Sequence, residues 1–330
     1  MHVITKYYKQ SIRLFTLIII LSGFYSCSKI DEQGFPTDQL PVADNILDPL
    51  DSGALHFFVL SDWGFNGSNN QKEVEAEMNL VSQYVGLNFI LTCGDNFQKA
   101  GVQSSDDRLW YSNYENVYAD SALLVPWYPA LGNHDYLGKP DAQIDYSATS
   151  EYWHMPARYY TFLQEVDSII SVRYIVLDTP GLISAYQNLK DSTKYETIPQ
   201  YSWLRNLLSE TKEKWIIVTG HHPVFSASPY HGDTKELKSL VKPLFDKYNV
   251  DFYICGHDHD FEHAREKGKN TEYIVTGTGG VIRREGSNER TVYAISVLGF
   301  TYISLSPDNA KLYFITSDGH IGYSFEKKLQ

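Results

Sequence analysis

The chain has 330 residues, of which 43% are apolar and 21% are charged. This balance is that of a globular protein and excludes the disordered and collagen-like classes. Lysine and arginine total 28 against 40 aspartate and glutamate residues, which gives a net charge of −12. Because no basic stripe offsets this deficit, we expect no nucleic-acid partner.

The N-terminal segment has the order of an export signal. Lys6, Lys9 and Arg13 precede an apolar run over residues 14–21 that is too short to cross a bilayer. Cys27 follows this run and resembles the lipidated cysteine of bacterial lipoproteins, whose acyl chains anchor a protein without a spanning helix. A plain signal peptide cleaved near Cys27 is the alternative.

We therefore predict three parts: a lipoprotein-type signal peptide over 1–27, a flexible tether over 28–52 and a single folded domain over 53–330. The expected location is the outer membrane of a bacterium, with the domain facing the periplasm or the medium. The lipid on Cys27 would be its only membrane contact, and we expect a monomer.

From residue 55 onward, strand-like and helix-like segments alternate. Short β-branched and aromatic runs predict strands over 56–61, 89–93, 125–131, 172–178, 215–219, 252–255 and 273–276. Helical spacing predicts helices around the stripe from Val74 to Val85 and over 104–118, 201–211 and 234–248, the last bent or beginning at Pro243. The last four runs predict an antiparallel meander over 292–297, 300–305, 311–316 and 323–327, with turns at 306–309 and 317–319. Together they predict one mixed α/β domain.

Two cysteines, Cys93 and Cys255, lie within the predicted domain. Each ends an apolar strand-like run just before a glycine. A disulfide is possible in an exported protein, but such positions favour small buried thiols.

Five predicted strands run directly into short polar clusters, at 61–64, 94–97, 132–135, 220–223 and 256–259. The carboxyl ends of strands are where α/β sheets form ligand sites. The clusters supply carboxylates, an amide and several imidazoles but no cysteine, a donor set that suits Zn, Fe or Mn. The sequence therefore predicts a metal site at the strand ends.

These clusters resemble those of the calcineurin-like metallophosphoesterases, and most closely those of the small purple, tartrate-resistant type acid phosphatases. The similarity extends from about Phe57 to the C-terminus. It rests on Gly-Asp-Asn-Phe at 94–97 with Gly101-Val102, Val-Pro-Trp-Tyr at 125–128, Gly-Asn-His-Asp at 132–135, Ser-Trp-Leu at 202–204 and Cys-Gly-His-Asp-His at 255–259. The resemblance implies a four-layer αββα sandwich of two central mixed β-sheets flanked by helices, with two metal ions at the strand ends.

Position by position, the resemblance assigns six metal ligands. It implies that Asp62, Asp95 and His259 hold the first metal. Asp95 would bridge to the second metal, which Asn133, His221 and His257 complete. A shared carboxylate between cations about 3.5 Å apart is the arrangement of two-metal hydrolytic sites.

The resemblance also implies catalytic residues outside the metal ligands. His134 would bind the phosphate and protonate the leaving alkoxide, and Asp135 would hold its imidazole in orientation. His231 matches a second outer histidine. We expect His222 to line the rim of the pocket and Asp258 to support its loop, because neither has the position of a ligand.

One position departs from the family pattern. Gln98 stands where the purple phosphatases have a tyrosine whose phenolate ligates Fe(III), and Gly64 stands where other members have a histidine. Gln98 is a doubtful ligand through its carbonyl. We therefore expect no purple Fe(III)-tyrosinate centre, a first site that prefers a divalent ion, and a pH optimum nearer neutrality.

The predicted activity is hydrolysis of small phosphate monoesters, acid-phosphatase-like, by in-line attack of a metal-bound hydroxide. The metals would be Fe, Zn or Mn. Two alternatives remain open: a phosphodiesterase or protein phosphatase on the same site, and a non-catalytic lipoprotein whose first metal site is degenerate.

Overall fold

A computed structural model of the chain describes residues 53–166, 171–183 and 197–329. The predicted signal peptide over 1–27 with Cys27, and the tether over 28–52, lie outside the described residues. Within the described ranges, no helix is long and apolar enough to cross a membrane.

The domain consists of thirteen named strands and five α-helices within the described ranges. The strands are β1 (Leu55–Leu60), β2 (Phe89–Thr92), β3 (Trp127–Pro129), β4 (Tyr160–Glu165), β5 (Ser171–Val176), β6 (Trp215–Thr219), β7 (Phe252–Cys255), β8 (Phe261–Arg265), β9 (Glu272–Thr276), β10 (Thr291–Ile295), β11 (Gly299–Leu305), β12 (Asn309–Thr316) and β13 (Ile321–Lys328). The helices are α1 (Asn69–Ser82), α2 (Asp141–Tyr146), α3 (Thr197–Glu210), α4 (Lys235–Leu240) and α5 (Lys242–Tyr248).

These strands form two mixed sheets. The first has six strands in the order β13-β12-β11-β1-β2-β3, with β1, β2 and β3 parallel and the rest antiparallel. The second has seven strands in the order β10-β8-β9-β7-β6-β5-β4, with β5, β6, β7 and β9 parallel. All the strands that precede the five polar clusters are therefore parallel ones.

Alternation along the buried strands separates the apolar core into three layers. On β1, Phe58 and Leu60 pack with Val74 and Met78 of α1, whereas Phe57 and Val59 face the second sheet. The outer face of the second sheet packs on helices α3, α4 and α5 through Leu204, Leu208, Leu237 and Phe245. Because side chains of a strand point to alternate faces, three core layers require four layers of backbone. The predicted αββα sandwich is confirmed.

Several elements differ from those that the sequence predicts. The predicted meander over 292–327 is wrong in its first strand, because β10 pairs with β8 in the second sheet, and only β11, β12 and β13 form a meander. The helix predicted over 104–118 is reduced to a short π-helical turn, Tyr111–Glu115. Strands β4 and β8 were not predicted.

The predictions for the segment over 234–248 and for the two cysteines of the domain are confirmed. The segment over 234–248 is two helices that meet at Val241, with Pro243 in the first turn of α5, where a missing backbone N–H costs nothing. Cys93 and Cys255 are buried and free. The thiols therefore pack as small core side chains.

Candidate metal centre

The carboxyl ends of the two sheets meet at one place. The backbone N–H of His257, after β7 of the second sheet, donates to Oδ2 of Asp62, after β1 of the first sheet, at 2.9 Å. Nδ1 of His221, after β6, lies 2.8 Å from the carbonyl oxygen of Cys93, at the end of β2. These bonds tie together loops that are far apart in the sequence, so the polar clusters converge.

The backbone of this region is strained at three predicted ligands. Asp62, Asp95 and His257 have φ values of 55°, 49° and 70°, in the left-handed region that non-glycine residues rarely occupy. Such strain persists only where surrounding contacts enforce it, and it concentrates at functional sites. Glycine is required beside it, since a Cβ on Gly132 would lie 2.1 Å from Oδ1 of Asp95.

Three predicted ligand atoms of the second metal lie close to a fourth, Nε2 of His221. Nε2 of His221 lies 3.1 Å from Oδ1 of Asn133, 3.5 Å from Oδ2 of Asp95 and 3.3 Å from Nδ1 of His257. The Cys93 carbonyl can only accept, so it fixes the hydrogen of His221 on Nδ1 and leaves Nε2 with a lone pair. Ligands about 2.0 Å from a tetrahedral zinc are about 3.3 Å apart, and the three distances measured from Nε2 of His221 are close to this value.

The first-metal position is formed by carboxylates and an imidazole. Nε2 of His259 lies 3.3 Å from Oδ1 of Asp62, yet this buried oxygen accepts no hydrogen bond from any described residue. Ligand atoms of Asp62, Asp95 and His221 all lie within 4.8 Å of one another, so the two positions are adjacent. Close approach without an aligned hydrogen is the arrangement expected of two ligands to one cation.

Electrostatics favour cations at both positions. Burial raises the pKa of Asp95 well above its ordinary value, and the carboxylates of Asp62 and Asp135 raise it further. Burial would also raise the pKa of Asp62, but the neighbouring His221 and His259 hold it below its ordinary value. Burying two adjacent carboxylates is costly unless positive charge compensates them. The residues present therefore fit a pair of metal ions.

The structure places the predicted catalytic pair differently from expectation. The imidazole of His134 stands at the site, with Nε2 3.9 Å from Oδ2 of Asp95 and its backbone N–H donating to Oδ1 of Asp95 at 2.8 Å. However, its Nδ1 is buried and has no hydrogen-bond partner among the described residues. The prediction that Asp135 orients this ring is therefore wrong.

Asp135 instead holds two ligand loops together. Its carboxylate accepts hydrogen bonds from the backbone N–H groups of Gly132 at 2.8 Å, Phe97 at 3.0 Å and Asn96 at 3.2 Å. Burial raises the pKa of Asp135 to about 6, although the amides of Gly132 and Asn96 oppose the shift. Since Asp135 begins a short 3₁₀ turn, its side chain turns back toward the preceding loops and links them.

Gln98 contacts the predicted bridging ligand through its amide nitrogen. Nε2 of Gln98 donates to Oδ2 of Asp95 at 3.1 Å. A neutral donor at this position adds no negative charge to the site. The side chain thus supports Asp95 and does not present its carbonyl there.

His222 is a site residue whose position the sequence analysis misjudged. We expected it at the pocket rim, but it is only 2% exposed, and a ring nitrogen lies within 4.8 Å of those of His221 and His257. Oγ1 of Thr179 accepts the backbone N–H groups of both His221 and His222 at 3.1 Å, so its hydroxyl hydrogen is free to donate to Nδ1 of His222 at 2.9 Å. Two successive histidines after β6 were the only sequence signal for this packing.

The remaining two residues are not among the clustered ligand atoms. The ring of His231 lies 4.2 Å, centroid to centroid, from that of His257, so its loop packs against a predicted ligand. Asp258 is fully buried and, as expected, is not among the clustered ligand atoms.

Comparison with known proteins agrees with this geometry. Residues 55–261 match the calcineurin-like phosphoesterase family. The chain is 31% identical to rabbit (Oryctolagus cuniculus) tartrate-resistant acid phosphatase type 5 over 302 residues, covering 83% of this chain and 92% of the relative. It is 34% identical to purple acid phosphatase 4 of Arabidopsis thaliana over 244 residues, 70% of each chain.

Among solved structures, GAP50, the anchor in the inner membrane complex of Plasmodium, has a similar fold, with a TM-score of 0.77 and 24% identity over 84% of this chain and 89% of that one. The fold, the polar clusters at the strand ends and the matched sequence agree. The chain therefore belongs to the calcineurin-like phosphoesterase family, with acid phosphatases among its relatives, and is a hydrolase acting on phosphoric ester bonds.

Proposed function

We propose that the protein is a two-metal phosphomonoesterase. The observation that carries this proposal is that ligand atoms of Asp95, Asn133 and His257 each lie within 3.5 Å of Nε2 of His221. Beside them, Nε2 of His259 lies 3.3 Å from Oδ1 of Asp62. Bound cations would polarise the phosphoryl group and lower the pKa of the attacking water. An acidic chain needs this local positive charge to hold a dianionic ester.

In this proposal Asp95 serves both metals and the protein fixes it in place. Its Oδ1 accepts the His134 N–H and its Oδ2 accepts the Gln98 amide, so the carboxylate cannot rotate without losing bonds. Asn133 supplies a neutral oxygen, which leaves the second position more electrophilic than a further carboxylate would. The residues are thus arranged to hold the metals rigidly and with little excess negative charge.

His134 is the proposed proton donor to the leaving group. Burial and the neighbouring His221 lower the pKa of His134 in the ligand-free site, but a bound phosphate dianion would raise it again by favouring the imidazolium form. His134→Ala should lower kcat about 100-fold or more for an alkyl phosphate. The loss should be smaller for nitrophenyl phosphate, because nitrophenolate departs without protonation.

The test is activity after reconstitution of metal-free protein with Fe, Zn, Mn and Mg in turn. Nitrophenyl phosphate and its bis-ester, assayed in parallel, separate a monoesterase from a diesterase. A protein that turns over neither ester with any metal would contradict the proposal and favour a non-catalytic lipoprotein.

We further propose that both ions are divalent. The support is the Gln98 amide beside Asp95, where an anionic phenolate would be needed to stabilise Fe(III). The visible spectrum of the active protein should show no phenolate-to-iron charge-transfer band, whereas iron-loaded Gln98→Tyr should show one. A band in the wild-type protein would contradict this assignment.

A further inference from the structure

One cationic side chain beside the candidate metal centre, Arg283, lies in the loop between β9 and β10. Its backbone is fixed at both ends of the residue: its N–H donates to the carbonyl of His259 at 2.7 Å, and its carbonyl accepts from the hydroxyl of Ser296. The loop is therefore attached directly to a ligand-bearing segment, which positions the Arg283 side chain.

The imidazole ring of His231 lies between the guanidinium of Arg283 and the predicted ligand His257. Its Nη1 donates to Nε2 of His231 at 2.9 Å, and its carbon lies 5.5 Å from the centre of the Tyr230 ring. His231 in turn faces His257, with a centroid separation of 4.2 Å. Both Tyr230 and His231 are exposed, so this group of three residues is open to a ligand.

The charge of Arg283 is not neutralised by an acid in the described part of the chain. No described carboxylate lies within ion-pair distance of it, whereas Arg158, Arg173, Arg265 and Arg290 each have an Asp or Glu partner. Guanidinium remains charged at every accessible pH. An unpaired permanent cation beside a site for dianions, in a chain of net charge −12, has the charge an anionic ligand requires.

The hydrogen bond also constrains what His231 can do. A guanidinium has five donors and no acceptor, so Nε2 of His231 must accept and cannot carry a proton while this bond is present. His231 then has its hydrogen on Nδ1 and is neutral. The positive charge at this side of the cleft belongs to Arg283.

We propose that Arg283 is a substrate-binding residue that contacts an anionic oxygen of the phosphate ester, in a subsite completed by His231 and Tyr230. The proposal rests on the phosphoesterase function argued above. The anionic oxygen can belong to the phosphoryl group itself or to a second anionic group on the leaving alcohol. Arg283 would give the enzyme selectivity for doubly anionic ligands.

The experiment compares Arg283→Gln with Arg284→Gln, a matched control at the adjacent exposed arginine. Each metal-loaded protein is titrated calorimetrically with inorganic phosphate. Each is then assayed with phosphoglycerate and glycerol phosphate, which differ by one carboxylate. Arg283→Lys retains the charge without the planar fork, and metal content is measured for every variant.

For Arg283→Gln we expect KM to rise about 10- to 100-fold, the range of one charge-assisted hydrogen bond, with metal content and kcat little changed. Arg284→Gln should match the wild type, and Arg283→Lys should recover part of the loss. Weaker binding of inorganic phosphate identifies the phosphoryl group as the contact. An effect confined to phosphoglycerate identifies the second anionic group.

Two results would overturn the proposal, and they are distinguishable. If the wild type hydrolyses esters and Arg283→Gln keeps its phosphate affinity and both KM values, the subsite assignment fails alone. If the metal-loaded wild type neither binds phosphate nor hydrolyses any ester, the proposed function and the subsite fail together.

Discussion

Asp135→Asn distinguishes a structural carboxylate from a catalytic one. The wild-type carboxylate accepts three backbone N–H bonds, from Gly132, Asn96 and Phe97. An asparagine oxygen in the Oδ2 position keeps the first two, but the amide NH₂ then faces the N–H of Phe97. One charge-assisted bond is lost, worth about 1.5–3 kcal/mol, and a buried donor loses its acceptor at about 1–3 kcal/mol.

We therefore expect Asp135→Asn to lower the free energy of unfolding by about 3 kcal/mol. In a domain of this size that corresponds to a fall in Tm of roughly 6–12 °C. The assay is thermal and urea unfolding of the metal-free protein, because bound metal adds its own stabilisation. Asp106→Asn, at an exposed carboxylate, is the control and should change stability little.

The kinetic result separates the two roles. If Asp135 only holds the ligand loops, the metal-loaded variant at low temperature should retain the pH profile of the wild type. A variant with wild-type stability, a kcat reduced 10- to 100-fold and an altered pH profile would show that Asp135 acts on the His134 ring, and would refute the structural assignment.

The other predictions concern pH, packing and location. Burial raises the pKa of Glu75 from 4.5 to about 7 in the folded protein, so ionisation of Glu75 lowers the free energy of unfolding as pH rises between those values. Glu75→Gln should leave the free energy of unfolding unchanged at pH 4.5 and raise it by about 1 kcal/mol above pH 7, a value discounted because the group is half-exposed. The exposed control Glu73→Gln should match the wild type in unfolding titrations. A Cβ at residue 132 would clash with the carboxylate of Asp95. Gly132→Ala should therefore bind less metal, measured by elemental analysis, while its circular dichroism spectrum stays native. Full retention of metal would contradict this packing argument. If residues 1–27 direct lipidation, Cys27→Ala should move the protein from the membrane to the soluble fraction of its host, and an unchanged distribution would exclude the lipid anchor.

The sequence was sufficient to predict that polar clusters gather at the strand ends, because their positions follow from the strands. The residue that follows a parallel strand lies at one edge of the sheet, and the glycines at 94, 132 and 256 allow the sharp turns there. Asp62, Asp95 and His257 could therefore be placed at this edge without knowing any contact, whereas their assignment as metal ligands remains what the family resemblance implies. The αββα layering likewise follows from buried strands with apolar residues on both faces.

The features that could not be predicted depend on side-chain orientation and strand pairing in the tertiary structure. Nothing in Gly-Asn-His-Asp indicates that the Asp135 carboxylate turns toward amides of another loop rather than toward His134. Strand β8 contains buried Glu262 and His263, so its pattern resembles a loop, and β10 has no local signal that assigns it to the second sheet. Arg283 lies in a loop without periodicity, and its position depends on contacts with distant residues.

The central claim is that two cations share Asp95 at the meeting point of the two sheets. Anomalous X-ray scattering from crystals of metal-loaded protein, collected at the absorption edge of the bound metal, tests it directly. We expect two peaks about 3.5 Å apart, one beside Asp62 and His259 and the other beside Asn133, His221 and His257. A single peak, or peaks away from these side chains, would contradict it.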